Sequence, residues 1–230
     1  VYWNSGSTLN MDVYNSFINV YGDWDQNSGA SITPSTGFID FEGSSDSWIR
    51  SFTDGCSFYN LRNFKTGNGA LNISTQSTHD VVIDNYTYVD DDATFQSYSD
   101  HDIVMKGNFD YHGTFDFTAG SSTGALVFSG DNQAIDDNGL GTGTFHDLVI
   151  NSTQGTTVYS GTLNIEGSLT ISNGFLKPYA PVYIDGDLII GNGTLDMFEY
   201  IFYCYGDVTV NSGGILQLKE GSNLHLDRKS

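Results

Sequence analysis

The sequence predicts an all-β chain, a parallel β-solenoid whose coils of about 20 residues stack into a rod. Three observations predict it. The composition is that of strands and turns: 27 Gly, 14 Tyr and 15 Phe against 3 Pro, with abundant Ser, Thr, Asn and Asp and few strong helix formers. A short motif recurs every 19 or 20 residues, and a longer pattern recurs after 87.

The short motif is Gly167-Ser168-Leu169-Thr170-Ile171, Gly186-Asp187-Leu188-Ile189-Ile190 and Gly206-Asp207-Val208-Thr209-Val210. Each copy is followed by Asn173-Gly174, Asn192-Gly193 or Ser212-Gly213. Such a unit reads as a short strand with alternating apolar positions, a turn that favours positive φ, and a second strand such as Thr194 to Met197 or Ile215 to Leu218. In the long pattern, Gly37, Phe41, Phe58 and Leu61 return as Gly124, Phe128, Phe145 and Leu148, all at one offset of 87 residues. Upstream, Ile18 to Trp24 matches Ile103 to Phe109 and, less closely, Phe202 to Val208. Long repeats therefore begin near Gly37 and Gly124, with a third begun near Gly221.

Coils of this length give some eleven turns and a rod on the order of 50 Å, at about 4.8 Å per turn. An antiparallel β-sandwich is the alternative, but sandwiches rarely keep a residue-level repeat. No linker or composition shift divides the chain, so residues 1–230 read as one domain. The recurring Phe41, Phe128, Phe58 and Phe145 are expected to point inward and stack as ladders.

The string carried by Gly124 to Gly130, Phe145 to Asn151 and Leu163 to Gly174 resembles the repeats of secreted prokaryotic β-solenoid surface proteins, which are adhesin-like. That resemblance covers most of residues 37–195 and implies a structural or adhesive role with no shared catalytic set. The first copy departs from the pattern around Trp48-Ile49-Arg50 and Cys56. A weaker similarity in composition and inferred architecture links the chain to amyloid-like cell-sheath and matrix subunits.

The charge excludes some partners. With 28 acids against 8 bases the net charge is −20, which repels phosphate, so nucleic acid is a poor partner. The longest uncharged apolar run, Tyr200 to Tyr205, is far short of the roughly 18 to 20 residues of a spanning helix. Val1 opens the chain without an initiator Met or an apolar leader, as in a mature or trimmed chain.

Catalysis is not expected. Asp90-Asp91-Asp92 with Asp100 and Asp102, and Asp131 with Asp136-Asp137, are the candidate carboxylate sets of a glycosidase, with Asp91 and Asp136 as the residues to test. Consecutive acids nevertheless point to opposite faces of a strand or lie on a solvated loop. The Gly-His-Gly and Arg-x-Lys strings of solenoid polygalacturonases do not occur. No cofactor is expected: His79, His101, His112, His146 and His225 lack zinc spacing, and the acidic clusters suit Ca²⁺ but form no Asp-x-Asp-x-Asp-Gly loop. Cys56 and Cys204 lie some seven coils apart, too far to pair within the chain. They are either buried thiols or partners in disulfides between chains. Asn72, Asn85, Asn151 and Asn192 stand in glycosylation sequons.

The ends complete the reading. Neither shows an amphipathic helix or a polar capping repeat, so both expose unpaired strand edges. Residues 1–49 hold six acids, Asp12, Asp23 and Asp25 among them, and no base, whereas Lys219, Arg228 and Lys229 fall in the last twelve residues. Head-to-tail contact between copies follows. The expectation is a secreted, extracellular structural protein, self-assembling by strand stacking into a cell-surface sheath or filament. The alternative is a carbohydrate-binding or adhesin module of a large secreted protein.

Overall fold

The computed structural model describes residues 1–4, 6–11, 16–27, 30–33, 36–51, 55–75, 79–119, 123–139 and 141–227. They form an all-β parallel solenoid of about 22 residues per turn. Each turn lays down three short strands, so the rod has three faces.

The first face is an eleven-stranded ladder that runs from Tyr2–Trp3 through Trp24–Gln26 and Ser47–Ser51 to Ile201–Cys204 and Asn223–Leu226. The second and third faces join into one sixteen-stranded sheet. They join because Cys56–Lys65 and Val81–Val89 are long enough to run round the shared corner, their first halves pairing along the second face and their second halves along the third. At the base, Thr8–Asn10 and Ser31–Thr33 form a separate pair. Among the described residues, no helix is long and apolar enough to cross a membrane.

The strands form because every second residue is apolar and points inward. Leu169 and Ile171 stack below Leu188 and Ile190, and these below Val208 and Val210, so the 19- and 20-residue rungs repeat in register. Phe41, Phe58, Phe128 and Phe145 are all buried, as the pattern predicts.

They do not stack on one another, however, because the 87-residue offset moves the chain by one face. Phe38–Gly43 lies on the third face but Ala125–Phe128 on the second; Phe58 is on the second and Phe145 on the first. Phe58 instead meets the Trp24 ring at 5.8 Å, and Phe145 meets Phe115 at 4.5 Å. Ile18 to Trp24, Ile103 to Phe109 and Phe202 to Val208 likewise turn three different corners. All three corners use one local code, an apolar strand end, Gly with a polar residue, and a new strand. A sequence match therefore finds the corner type without saying which corner.

Two physical requirements write that code. At Gly107 and Gly130 the chain passes so close to the turn below that a Cβ would lie 1.3 Å from the Asn85 carbonyl oxygen and 1.7 Å from that of Lys106. The other requirement is an acceptor for corner N–H groups that leave the ladder. A carboxylate in the turn below supplies it: the Asp102 amide donates to Asp80, Ala125 to Asp102, Ser168 to Asp147 and Asp207 to Asp187, at 2.5 to 3.2 Å. Much of the acidic excess is thus corner chemistry.

Candidate functional site

Inward rows that are sealed through the body open at the last turn. Val208–Val210, Ile215–Leu218 and Asn223–Leu226 are the last described strands of the second, third and first faces, and among the described residues each has a strand neighbour on one side only. Their inward residues continue the core: Val210 stands over Ile190, Leu218 over Met197 and Leu226 over Cys204. The lower members of these pairs are 0 to 2% exposed, whereas Val210, Leu218 and Leu226 are 46, 53 and 59% exposed. Val208, Leu216 and Leu224 complete the row, half-buried against the core. Among the described residues the result is an apolar cross-section on which a further parallel turn would stack.

The opposite end is more closed. Trp3, Leu9 and Ile18 are partly covered, and Met11 and Val20 are buried. Among the described residues its strands too have a neighbour on one side only. Along the chain the faces run first, second, third at this end and second, third, first at the other, the same cyclic order.

The charges singled out in the sequence are used differently. Asp23 and Asp25 both bind Arg50 one turn above, at 2.8 and 2.9 Å, and Asp23 also accepts the Trp48 amide. Lys219 binds Asp196 at 2.7 Å. Asp12, Arg228 and Lys229 lie outside the described residues. Asp23, Asp25 and Lys219 are thus paired within their own ends. Arg62 with Asp40 and Lys106 with Asp84 repeat the device, an acid joined to a base one turn later.

The carboxylate sets are divided among corners. Asp90 accepts the Tyr88 hydroxyl at 2.9 Å and Asp91 lies 3.2 Å from His112, while Asp102 serves a different corner. Asp136 accepts the Ser160 hydroxyl, and buried Asp137 accepts the Gly139 amide at 2.7 Å. Among the described residues no group of three or more His, Cys, Asp or Glu side chains has the arrangement of a metal site. Of the sequons, Asn85, Asn151 and Asn192 are exposed on the corner between second and third faces. Asn72 is 2% exposed, and its amide donates to the Ser47 carbonyl, so the folded chain withholds it from glycosylation.

Cys56 and Cys204 are free and buried. An interchain disulfide would require either thiol to leave the core. Burial pushes the Cys56 thiol up to about 12, and burial with the Asp90 hydrogen bond pushes Tyr88 to about 12; Tyr111 and Tyr86 are raised, first by burial. These acids ionise first in the unfolded chain, so their contribution is complete below about pH 9 and is lost as pH rises toward about 12. The urea midpoint is expected to fall across that window, together with late tyrosinate absorbance. A flat midpoint would show that these groups are hydrated in the native state.

The fold is a three-faced parallel β-solenoid whose last described turn ends in an apolar row. No known protein family, characterised protein or solved structure matches the chain.

Proposed function

We propose that this is a structural protein of the cell exterior whose copies stack turn upon turn into a filament or sheath. The supporting observation is the uncovered inward row Val210, Leu218 and Leu226, beside edges that have neighbours on one side only. The occupant is the first turn of a second copy, whose Trp3, Leu9 and Ile18 would continue the core. Covering three half-exposed aliphatic side chains contributes about 3 kcal/mol, before any backbone hydrogen bond is counted. The parallel register inside the rod is the geometry the junction would extend.

The drive is apolar and both copies carry a charge of −20, so salt is expected to speed assembly by screening repulsion. Steering by opposite charges would give the reverse sign. Because both thiols are buried, a reductant is expected to leave filaments intact.

The test is electron microscopy and sedimentation of the purified chain beside a Leu218→Asp/Leu226→Asp variant. The parent should form filaments in moderate salt. The variant should remain monomeric with an unchanged far-ultraviolet spectrum, since both positions are already solvent-facing in the single copy. A parent that stays monodisperse at high concentration and high salt, or a variant that polymerises like it, would remove the reading.

A further inference from the structure

Outward residues of the first face form a second feature. Thr144, Asn164, Tyr183, Tyr203 and His225 occupy one outward row in register over five successive strands. The three rings at its upper end lie almost parallel: Tyr183 and Tyr203 at 5.0 Å and 8°, Tyr203 and His225 at 4.7 Å and 17°. At Asn164 the row of rings stops. The short amide there leaves a shallow depression of about 270 Å³, lined by Thr144, Asn164, Ile165, Glu166, Tyr183 and Asp185.

The depression has the chemistry of a sugar subsite. Tyr203 covers one face of the Tyr183 ring, and the other face borders the depression as an apolar wall. Turns about 4.8 Å apart leave room for one flat or puckered ring to extend the stack. Around it stand groups that suit hydroxyls: the Glu166 and Asp185 carboxylates accept, the Thr144 hydroxyl does both, and the Asn164 amide donates and accepts. Both lining charges are negative, as is the chain as a whole, which disfavours uronates, sulfates and phosphates.

We infer that this depression binds a neutral hexopyranose unit, its C–H face on Tyr183 and its hydroxyls on Asn164, Glu166, Asp185 and Thr144. A stacked ring bordered by acceptors recognises such a unit by shape and hydrogen bonding together. The inference does not depend on end-to-end assembly, and the Leu218→Asp/Leu226→Asp chain serves as the monomeric background in which to test it.

The probes are cellohexaose, maltohexaose and chitohexaose, with an oligogalacturonate as the anionic control, read by saturation-transfer NMR and calorimetry. At least one neutral oligosaccharide is expected to bind saturably and the oligogalacturonate not to bind. Tyr183→Ala should abolish binding. Asn164→Tyr, which fills the gap with a further ring, should abolish it too while leaving thermal stability equal or higher, and so separates loss of the subsite from loss of fold. Glu166→Gln should weaken binding about tenfold, through loss of one charge-assisted hydrogen bond. No saturable neutral ligand, preference for the uronate, or binding that survives Asn164→Tyr would overturn the assignment.

Discussion

Gly143→Val is expected to unfold the middle of the rod. The inward row at this level is aromatic: Phe115 packs on Phe145 at 4.5 Å, edge-on to Tyr111 at 4.6 Å and against Phe109 at 5.3 Å. Gly143 is the register partner of Phe115 one turn on, and a Cβ there would sit 1.9 Å from the ring's Cε1. The ring is walled by other rings and has nowhere to turn. Gly141 makes the same room for Tyr111, where a Cβ would meet Cδ2 at 2.5 Å. Overpacking a sealed core costs about 3 kcal/mol or more.

Phe115→Ala alone should cost a comparable 3 to 5 kcal/mol by leaving a cavity. In the double variant the added valine occupies that cavity, so its destabilisation should be well below the sum of the two. Urea denaturation gives all three values. Additivity, or a Gly143→Val protein as stable as the parent, would mean that the two turns do not press on each other there.

Lys65→Met should cost about 3 to 5 kcal/mol, an effect of the same order from a polar cause. Lys65 ends the strand Cys56–Lys65 with its side chain fully buried. All three ammonium protons are used: Nζ donates to the carbonyls of Glu42 at 2.7 Å and Ser45 at 2.9 Å and to the Ser47 hydroxyl at 2.6 Å. They tie down the corner of the turn below, which leaves the ladder there. Methionine keeps the volume but strands three acceptors, the buried Ser47 hydroxyl and the partly buried carbonyls of Glu42 and Ser45.

Burial lowers the Lys65 pKa, against the smaller opposing effects of Asp46 and Asp23. Between that lowered value and the ordinary 10.5 the unfolded chain binds more protons than the native one, so this residue's contribution rises with pH in that window. The stability gap between parent and Lys65→Met should therefore widen as pH approaches 10.5. A gap independent of pH would mean the ammonium is hydrated in the native state, and one that narrows would mean that its native hydrogen bonds outweigh the effect of burial.

Lys65 also shows where reading the sequence stops. In Cys56–Lys65 the inward phase passes from Cys56, Phe58 and Asn60 to Leu61, Asn63 and Lys65 at the corner, and strict alternation from Phe58 would have put Lys65 outside. What receives it is a corner some twenty residues earlier, and nothing in the local pattern names Ser45 or Ser47. The pairing of Asp23 and Asp25 was hidden for a similar reason. Arg50 follows them by about one turn, and only the register puts it between them. The row Tyr183, Tyr203 and His225 is spaced like every other rung, so its aromatic stack was legible as composition and not as a surface. Val210, Leu218 and Leu226 read as three more core residues, and their exposure follows from being the last described members of their rows.

The alternation of apolar residues, the glycines where the backbone passes close to its neighbour and the 19- and 20-residue rungs determined strand, corner and parallel coil. They could do so because each reports on contacts within one turn or between adjacent turns. Which face a segment occupies was decided by the tertiary structure alone, since three corners share one chemistry and a turn of 22 residues can gain or lose a few without changing its local pattern. The 87-residue echo consequently joins segments that lie on different faces. Stacking fixes the count of strands between them, and with it which side chains meet, which charges pair and which apolar rows are left open.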